Sequence, residues 1–281
     1  MSWIITGTQR YQPDALLDQY PGAAAAYSLR NLVGTSNPAV VRVRRDNDDA
    51  EDDFTATEVS DGTLAAWVGA GNDGFVRTWY DQSGNNRHCQ QSTTSAQPSI
   101  VLNGALQAFS GKPSLNFATN KFFDRITTTT PLKSFSFLGK AQALNGTIRI
   151  VGSHVGVGSK ASSFFAFGTA TSAFSGESLT FFDGDSNAFL ATSYAFTNNQ
   201  DAIASAFFTA NNDGSIFVQD STGALIRNTH DVKNADFQIG KRINLGQYYN
   251  SLLPELVMWS VDYKTDASAI HANINAHYNI Y

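Results

Sequence analysis

Residues 203–228 read IASAFFTANNDGSIFVQDSTGALIRN, and this stretch decides the fold. Apolar runs flank Asn212-Asp213-Gly214, and Asp-Gly between two such runs is a strong short-range signal for a β-hairpin. Ser215–Gln219 then reaches a second turn, Asp220-Ser221-Thr222-Gly223, before Ala224–Arg227. The pattern continues outward. Val40–Arg45 alternates apolar and basic residues. Phe75–Tyr80, Ser114–Phe117, Ser134–Leu138, Thr147–Val151, Ser163–Phe167, Leu179–Phe182 and Ala188–Thr192 are short apolar or aromatic runs. Each is bounded by Gly, Asn, Asp, Ser or Pro, which is the signature of strands separated by turns. Leu252–Val261 reads as the last strand.

Helical signals are few. Gly22–Leu32 is alanine-rich and predicts a short helix, since Ala loses no side-chain entropy there. Asp61–Val68 begins with an acid suited to an N-cap and stops at Gly69. Ala267, Ile270, Ile274 and Tyr278 lie three and four apart, one face of a C-terminal helix capped by Thr265 or Asp266. No repeat of the ~20–50-residue period of solenoids or propellers is present. The expectation is therefore all-β: a two-sheet β-sandwich or jelly roll with short N-terminal helices and a C-terminal helix. Pro21-Gly22 breaks the chain, so residues 1–22 are expected to form an N-terminal arm and residues 23–281 the sandwich.

Of 281 residues, 42% are hydrophobic and 15% charged, enough apolar material for one large core. The net charge of −5 argues against a dedicated nucleic-acid binder, whose affinity comes from Lys and Arg on phosphates. The single cysteine, Cys89, excludes an intrachain disulfide and a Cys-based zinc cluster. The opening MSWIITGTQR lacks a basic segment leading into an apolar one, so no Sec signal peptide is expected. Without an apolar run of about 18 residues, no membrane insertion is expected either.

Three pieces carry a family resemblance. They are Ala26-Tyr27-Ser28-Leu29-Arg30 followed by Val41–Arg45, then Trp79-Tyr80-Asp81-Gln82-Ser83-Gly84-Asn85 ending near His88, then Val101-Leu102-Asn103-Gly104. In that order they resemble the catalytic domain of fungal-type α-L-arabinofuranosidase B, a concanavalin-A-like β-sandwich. The YPGAAAAYSLR and WYDQSGN pieces also resemble structural proteins of tailed bacteriophages, and the sequence looks nearer to those. The Ile203–Asn228 hairpins, Phe237-Gln238-Ile239-Gly240 and the final strand and helix are similar to laminin-G and pentraxin-type sandwiches. In the glycosidases a Glu is the nucleophile and an Asp the general acid, and a retaining mechanism needs the two carboxyls ~5–5.5 Å apart. The resemblance places the nucleophile on Glu177. It places the acid near Gly240-Lys241-Arg242-Ile243-Asn244, where no carboxylate stands. The family's vicinal disulfide is also impossible with one cysteine. The resemblance thus implies the fold and withholds the activity, and the expectation is a protein that is not an enzyme.

Tyr248 and Tyr249 are candidate sugar-stacking rings, and Glu177 a candidate sugar-hydroxyl acceptor. Asp81 suits an Asx-turn, its carboxylate accepting backbone N–H groups. Asp236, a displaced acid by position, enters an apolar strand. The acidic run Asp46–Asp53 is read as a solvated loop neutralised by Arg42, Arg44 and Arg45 rather than a Ca²⁺ site. Asp183-Gly184-Asp185-Ser186-Asn187 begins like an EF-hand loop, but Tyr194 stands where the bidentate Glu belongs, so a hairpin turn is expected. His88, His154, His230, His271 and His277 are scattered, and no metal or cofactor is expected. The leading functional expectation is a phage virion structural protein, in the tail or associated with the capsid, that displays a lectin-like sandwich to a host surface glycan. It would contact other virion proteins through residues 1–22 and form a homo-oligomer. The alternative is a glycoside hydrolase of arabinofuranosidase type lacking its general acid.

Overall fold

The computed structural model describes residues 15–118, 120–124, 126–127, 132–141, 149–154, 163–167, 179–183, 188–191, 199–209, 213–219, 221–222, 236–241, 246 and 248–281. The strands found in these residues form antiparallel sheets, as the turn pattern predicts. One sheet runs in the order Ala23–Ser28, Glu255–Trp259, Ser134–Ala141, Gln200–Thr209, Asp213–Val218, Ser221–Thr222. A second has a main path of Leu252–Leu253, Leu115–Asn116, Ser99–Leu102, Gly74–Trp79, Ala39–Arg45 and Glu51–Thr55. A third joins Ile126–Thr127, Asp236–Ile239, Arg149–His154, Ser163–Phe167, Leu179–Asp183 and Ala188–Ala191. One apolar core links all three. It takes Tyr27, Phe135, Phe137 and Met258 from the first, Val43, Val76 and Trp79 from the second, and Val151, Phe237 and Ile239 from the third.

The deciding hairpin is present, with Ala206 opposite Ile216 and Phe207 opposite Ser215. Two turn placements differ from the expectation: Asp213 and Gly214 begin the strand Asp213–Val218, opposite Thr209 and Phe208, and Ser221–Thr222 is a short strand paired with Val218 and Phe217; Ala224–Arg227 lies outside the described residues. The expected last strand is divided at Pro254. Leu252–Leu253 pairs with Leu115–Asn116, whereas Glu255–Trp259 joins the first sheet. A proline has no N–H for a ladder, and here the chain changes sheets at that residue. Along Glu255–Trp259 the pleat sends Leu256 and Met258 into the central core and Val257 and Trp259 to the opposite face. That outer face is covered by the C-terminal helix, Ala267–Tyr278, through Ile270, Ile274 and Tyr278. Its N-cap is Asp266, without a side-chain cap bond. His271 of this helix is buried, its Nδ1 donating to the Gln219 carbonyl (2.8 Å) and its Nε2 accepting from Ser205 Oγ (2.8 Å). Of the short helices, Thr63–Val68 lies within the predicted segment.

Gly22–Leu32 is not a helix. Ala23–Ser28 is a strand, buried along its whole length and paired with Glu255–Trp259. Ala24, Ala25 and Tyr27 face the central core, while Ala23 and Ala26 face the layer beneath the C-terminal helix. Small side chains fit a strand covered on both faces, and tertiary context overrides a propensity worth only tenths of a kcal/mol per residue.

This strand is at the edge of its sheet, and the WYDQSGN segment closes that edge. Asp81 Oδ1 accepts the Ala26 N–H (2.8 Å), and the Gln82 N–H donates to the Ala26 carbonyl (2.8 Å). The Gln82 side chain donates to the Ser28 and Arg30 carbonyls (3.0 and 3.1 Å) and accepts the Leu32 N–H (2.8 Å). Asn85 Nδ2 donates to the Ala23 carbonyl (2.9 Å) and Arg87 to that of Ala24 (2.6 Å). Asp81 also makes the expected Asx-turn, accepting the Ser83 N–H (2.9 Å), and takes the Ser83 hydroxyl (2.8 Å) and the Arg87 N–H (3.0 Å).

Ala15–Tyr20, within the expected arm, packs on this chain's own sandwich. Leu16 is fully buried with Ile270 and Tyr278, and the Tyr20 carbonyl accepts the Trp259 indole N–H (2.9 Å). The sandwich therefore takes in residues from Ala15 onward. Residues 1–14 lie outside the described set.

Replacing Asp81 by Ala strands several donors in a dry setting, each costing about 1–3 kcal/mol. Urea unfolding of Asp81→Ala is expected to show a loss of at least ~3 kcal/mol, and Asp81→Asn, which keeps one acceptor oxygen, a smaller loss.

Candidate functional site

Two places on the molecule gather chemistry. The first surrounds the loop after Asp236–Ile239, where the resemblance puts a general acid. Gly240 has φ +85°, and a Cβ there would lie 2.5 Å from the Phe117 ring, so glycine is required. The following Lys241 pairs with Tyr248 in an isolated bridge. Its ammonium lies 4.4 Å from the Phe122 ring centroid and 5.5 Å from that of Tyr248, a cation shared by two rings. The two rings are 6.2 Å apart and tilted by 46°. All three residues are half-buried, so the cluster is a shallow surface platform. A lysine is a poor general acid at neutral pH because its ordinary pKa is ~10.4. Arg242, Ile243 and Asn244 lie outside the described residues.

Tyr249, expected beside Tyr248 as a second stacking ring, is instead fully buried. Its hydroxyl accepts the Lys140 N–H (2.9 Å) and donates to the Leu252 carbonyl (3.0 Å). A side chain at Gly139 would collide with that hydroxyl. Burial pushes the phenol's pKa up. Adjacent residues point to opposite sides of an extended chain, so Tyr248 and Tyr249 cannot form one face. Glu177 lies outside the described residues. Asp236 starts the strand Asp236–Ile239, opposite Thr127. Most of the acidic run is ion-paired at the surface: Arg42 with Glu51 (2.8 Å) and Asp53 (3.2 Å), Arg44 with Asp49 (2.7 Å), Arg45 with Asp48 (2.7 Å). Cys89 is buried, and burial raises its thiol pKa, which makes it a poor nucleophile.

The second place is a cleft of ≈ 1190 Å³ walled by the C-terminal helix, the helix Ala56–Ser60 and the segment Leu29–Asn37. Sequence reading missed both the helix and the cleft. Thr55 and Glu58 form a reciprocal capping box, a spacing legible as Thr-x-x-Glu. Below the cleft is a buried cluster. Arg30 binds Glu255 through two nitrogens (2.7 and 2.9 Å) and Asn273 through a third (3.0 Å). Ser28 Oγ donates to Glu255 (2.8 Å). Burial opposes ionisation of Glu255, but the Arg30 guanidinium and these hydrogen bonds hold its pKa below the usual value. His277 lines the same cleft. Desolvation first, then repulsion from Arg30 and Lys112, lowers its pKa to about 4 against attraction from Glu255. The ring is uncharged at neutral pH.

No family model matches the chain, and no curated protein matches it in sequence. Solved structures do match in fold. A GH54 α-L-arabinofuranosidase soaked with a cyclic sulfate inhibitor superposes with a TM-score of 0.66 at 14% identity, covering 94% of this chain and 65% of that one. An arabinofuranosidase complexed with arabinofuranosyl-α-1,2-xylobiose gives 0.68 at 15% identity, over 94% and 64%. The chain therefore spans a little under two thirds of the length of these proteins. It has the β-sandwich fold of the arabinofuranosidases, as the sequence predicts.

His277 binds its proton more weakly folded than unfolded, so between pH ~6.5 and about 4 the unfolded chain holds more protons and stability falls as pH falls. His277→Gln should remove that slope in urea unfolding measured across this range. The remaining loss below the ordinary Glu value of ~4.3, where Glu255 protonates in the unfolded chain but not yet in the folded one, should persist.

Proposed function

We propose that this chain is a non-catalytic sandwich of glycosidase-like fold that serves as a virion structural protein and attaches weakly, in many copies, to a host surface glycan. The observation that carries the non-catalytic half is Lys241, packed over Phe122 and Tyr248 where the resemblance calls for a general acid. Losing general-acid assistance costs ~10²–10⁴-fold in rate. The phage half rests on the YPGAAAAYSLR and WYDQSGN pieces, which resemble tailed-phage structural proteins. Those pieces bond to each other and to the backbone here, a scaffold role that needs no substrate. Contact with other virion proteins and a homo-oligomeric state belong to the same reading. The contact with other virion proteins is assigned to residues 1–22, of which Ala15–Tyr20 also packs on its own sandwich.

Purified protein should show no turnover of 4-nitrophenyl α-L-arabinofuranoside above buffer. Turnover that disappears in Glu177→Gln overturns the reading and restores the hydrolase. Antibody against this chain should label intact particles in electron microscopy. Particles should hold immobilised host polysaccharide ~10²–10⁴-fold more tightly than the isolated chain, since linked copies raise effective concentration. Tyr248→Ala should weaken that attachment; equal binding by particle and chain removes multivalency as the mechanism.

A further inference from the structure

The cleft beside the C-terminal helix shares no residue with the Phe122–Lys241–Tyr248 platform. Its chemistry is unlike the rest of the chain. The protein carries 24 acids against 19 Lys and Arg, yet among the described residues no Asp or Glu lines the cleft. Its two formal cations are Arg30 and Lys112. Arg30 is neutralised by Glu255, which is itself only 1% exposed. Lys112 has no acid within 4 Å among the described residues. It is held in place by a tight hairpin. Ala108–Phe109 pairs with Lys112–Pro113 across Ser110 and Gly111, both at positive φ (47° and 75°). The Phe109 ring anchors that hairpin edge-on against Tyr278 (6.4 Å, 86°). The cleft thus carries one cation, on a backbone set by the hairpin, that has no ion-pair partner among the described residues.

The remaining walls are mixed in the way a sugar ring demands. Asn37, Thr57 and Gln19 offer amide and hydroxyl groups. Ala272 and Ala276, on the exposed side of the C-terminal helix, present low apolar relief on which CH faces can rest. A volume of ≈ 1190 Å³ exceeds the usual ~300–1,000 Å³ of small-molecule pockets and suits several linked rings. We infer that this cleft is a binding site for a carboxylate-bearing oligosaccharide, a hexuronate-type glycan whose acid group pairs with Lys112 while its hydroxyls meet the amide wall. It extends the glycan-binding part of the proposed function and needs neither a particle nor the platform.

The test is calorimetric titration of the full chain with a galacturonate tetramer, a neutral galactose tetramer and inorganic phosphate. Parallel titrations use Lys112→Glu and Tyr248→Ala. Lys112 makes no ion pair in the described structure, so Lys112→Glu should fold, and an unchanged melting temperature checks it. The galacturonate tetramer should bind, more weakly as salt rises, and at least ~10-fold more tightly than the neutral tetramer or phosphate. Lys112→Glu should lose at least ~10-fold and Tyr248→Ala nothing. Failure of the galacturonate tetramer to bind overturns the inference, as does equal binding by Lys112→Glu in a folded protein. Loss in Tyr248→Ala alone puts the ligand on the platform, which keeps the proposed function and overturns the cleft. Tighter binding of phosphate means a simple anion site and overturns the sugar assignment.

Discussion

The edge of the first strand is the constraint on which the rest depends. Ala23–Ser28 pairs on one side with Glu255–Trp259 and, among the described residues, has no strand on the other. Left bare, that side would place a row of backbone N–H and C=O groups in a region where the side chains are buried, and each unpaired group is costly. Asp81, Gln82, Asn85 and Arg87 fill the vacancy with side-chain and loop hydrogen bonds. A loop takes the place of a strand, and a carboxylate serves as a backbone acceptor. Two of the three sequence pieces that carry the family resemblance are thus the two halves of one contact.

Much follows from that contact. With Ala26 and Ser28 fixed, Arg30 is delivered to Glu255 near the start of the adjacent strand. The pair is nearly dry. Removing one partner of such a buried pair costs about 3–5 kcal/mol, because the other is left charged and uncompensated. Arg30 also reaches Asn273 on the C-terminal helix, which ties the helix to the strand and sets one wall of the cleft. Fold and cleft therefore share a foundation, whereas the Lys241 platform rests on Gly240 and Phe117 at another part of the sandwich.

The sequence made some of this legible and hid the rest for physical reasons. The two apolar runs encode their hairpin, although Asp213 and Gly214, read as its turn, are the first residues of the second strand; Ile270, Ile274 and Tyr278 encode the buried face of the C-terminal helix in the same way. The alanines at 23–26 misled, because helix propensity is a local property and burial on two faces is not. Two local signals went unread: Pro254 within the apolar run Leu252–Val261, where the strand divides, and the Thr55-x-x-Glu58 spacing that caps Ala56–Ser60. The cleft was not legible. It joins Lys112, Thr57 and Asn273, which nothing local relates. Of the expected sugar contacts, Tyr248 is on the surface and Tyr249 inside, a difference that the pleat of an extended segment makes but a Tyr-Tyr pair does not announce.

The most direct measurement is native-state hydrogen exchange at the Ala26 and Leu32 amides. Both point away from the strand ladder, toward the Asp81 and Gln82 side chains. If the loop is the missing strand, these protons exchange only through global unfolding, with the same opening free energy as amides in the paired core strands Ser134–Ala141 and Gln200–Thr209. If they exchange rapidly under native conditions while those core amides stay protected, the loop is a surface decoration and the account of this fold is wrong.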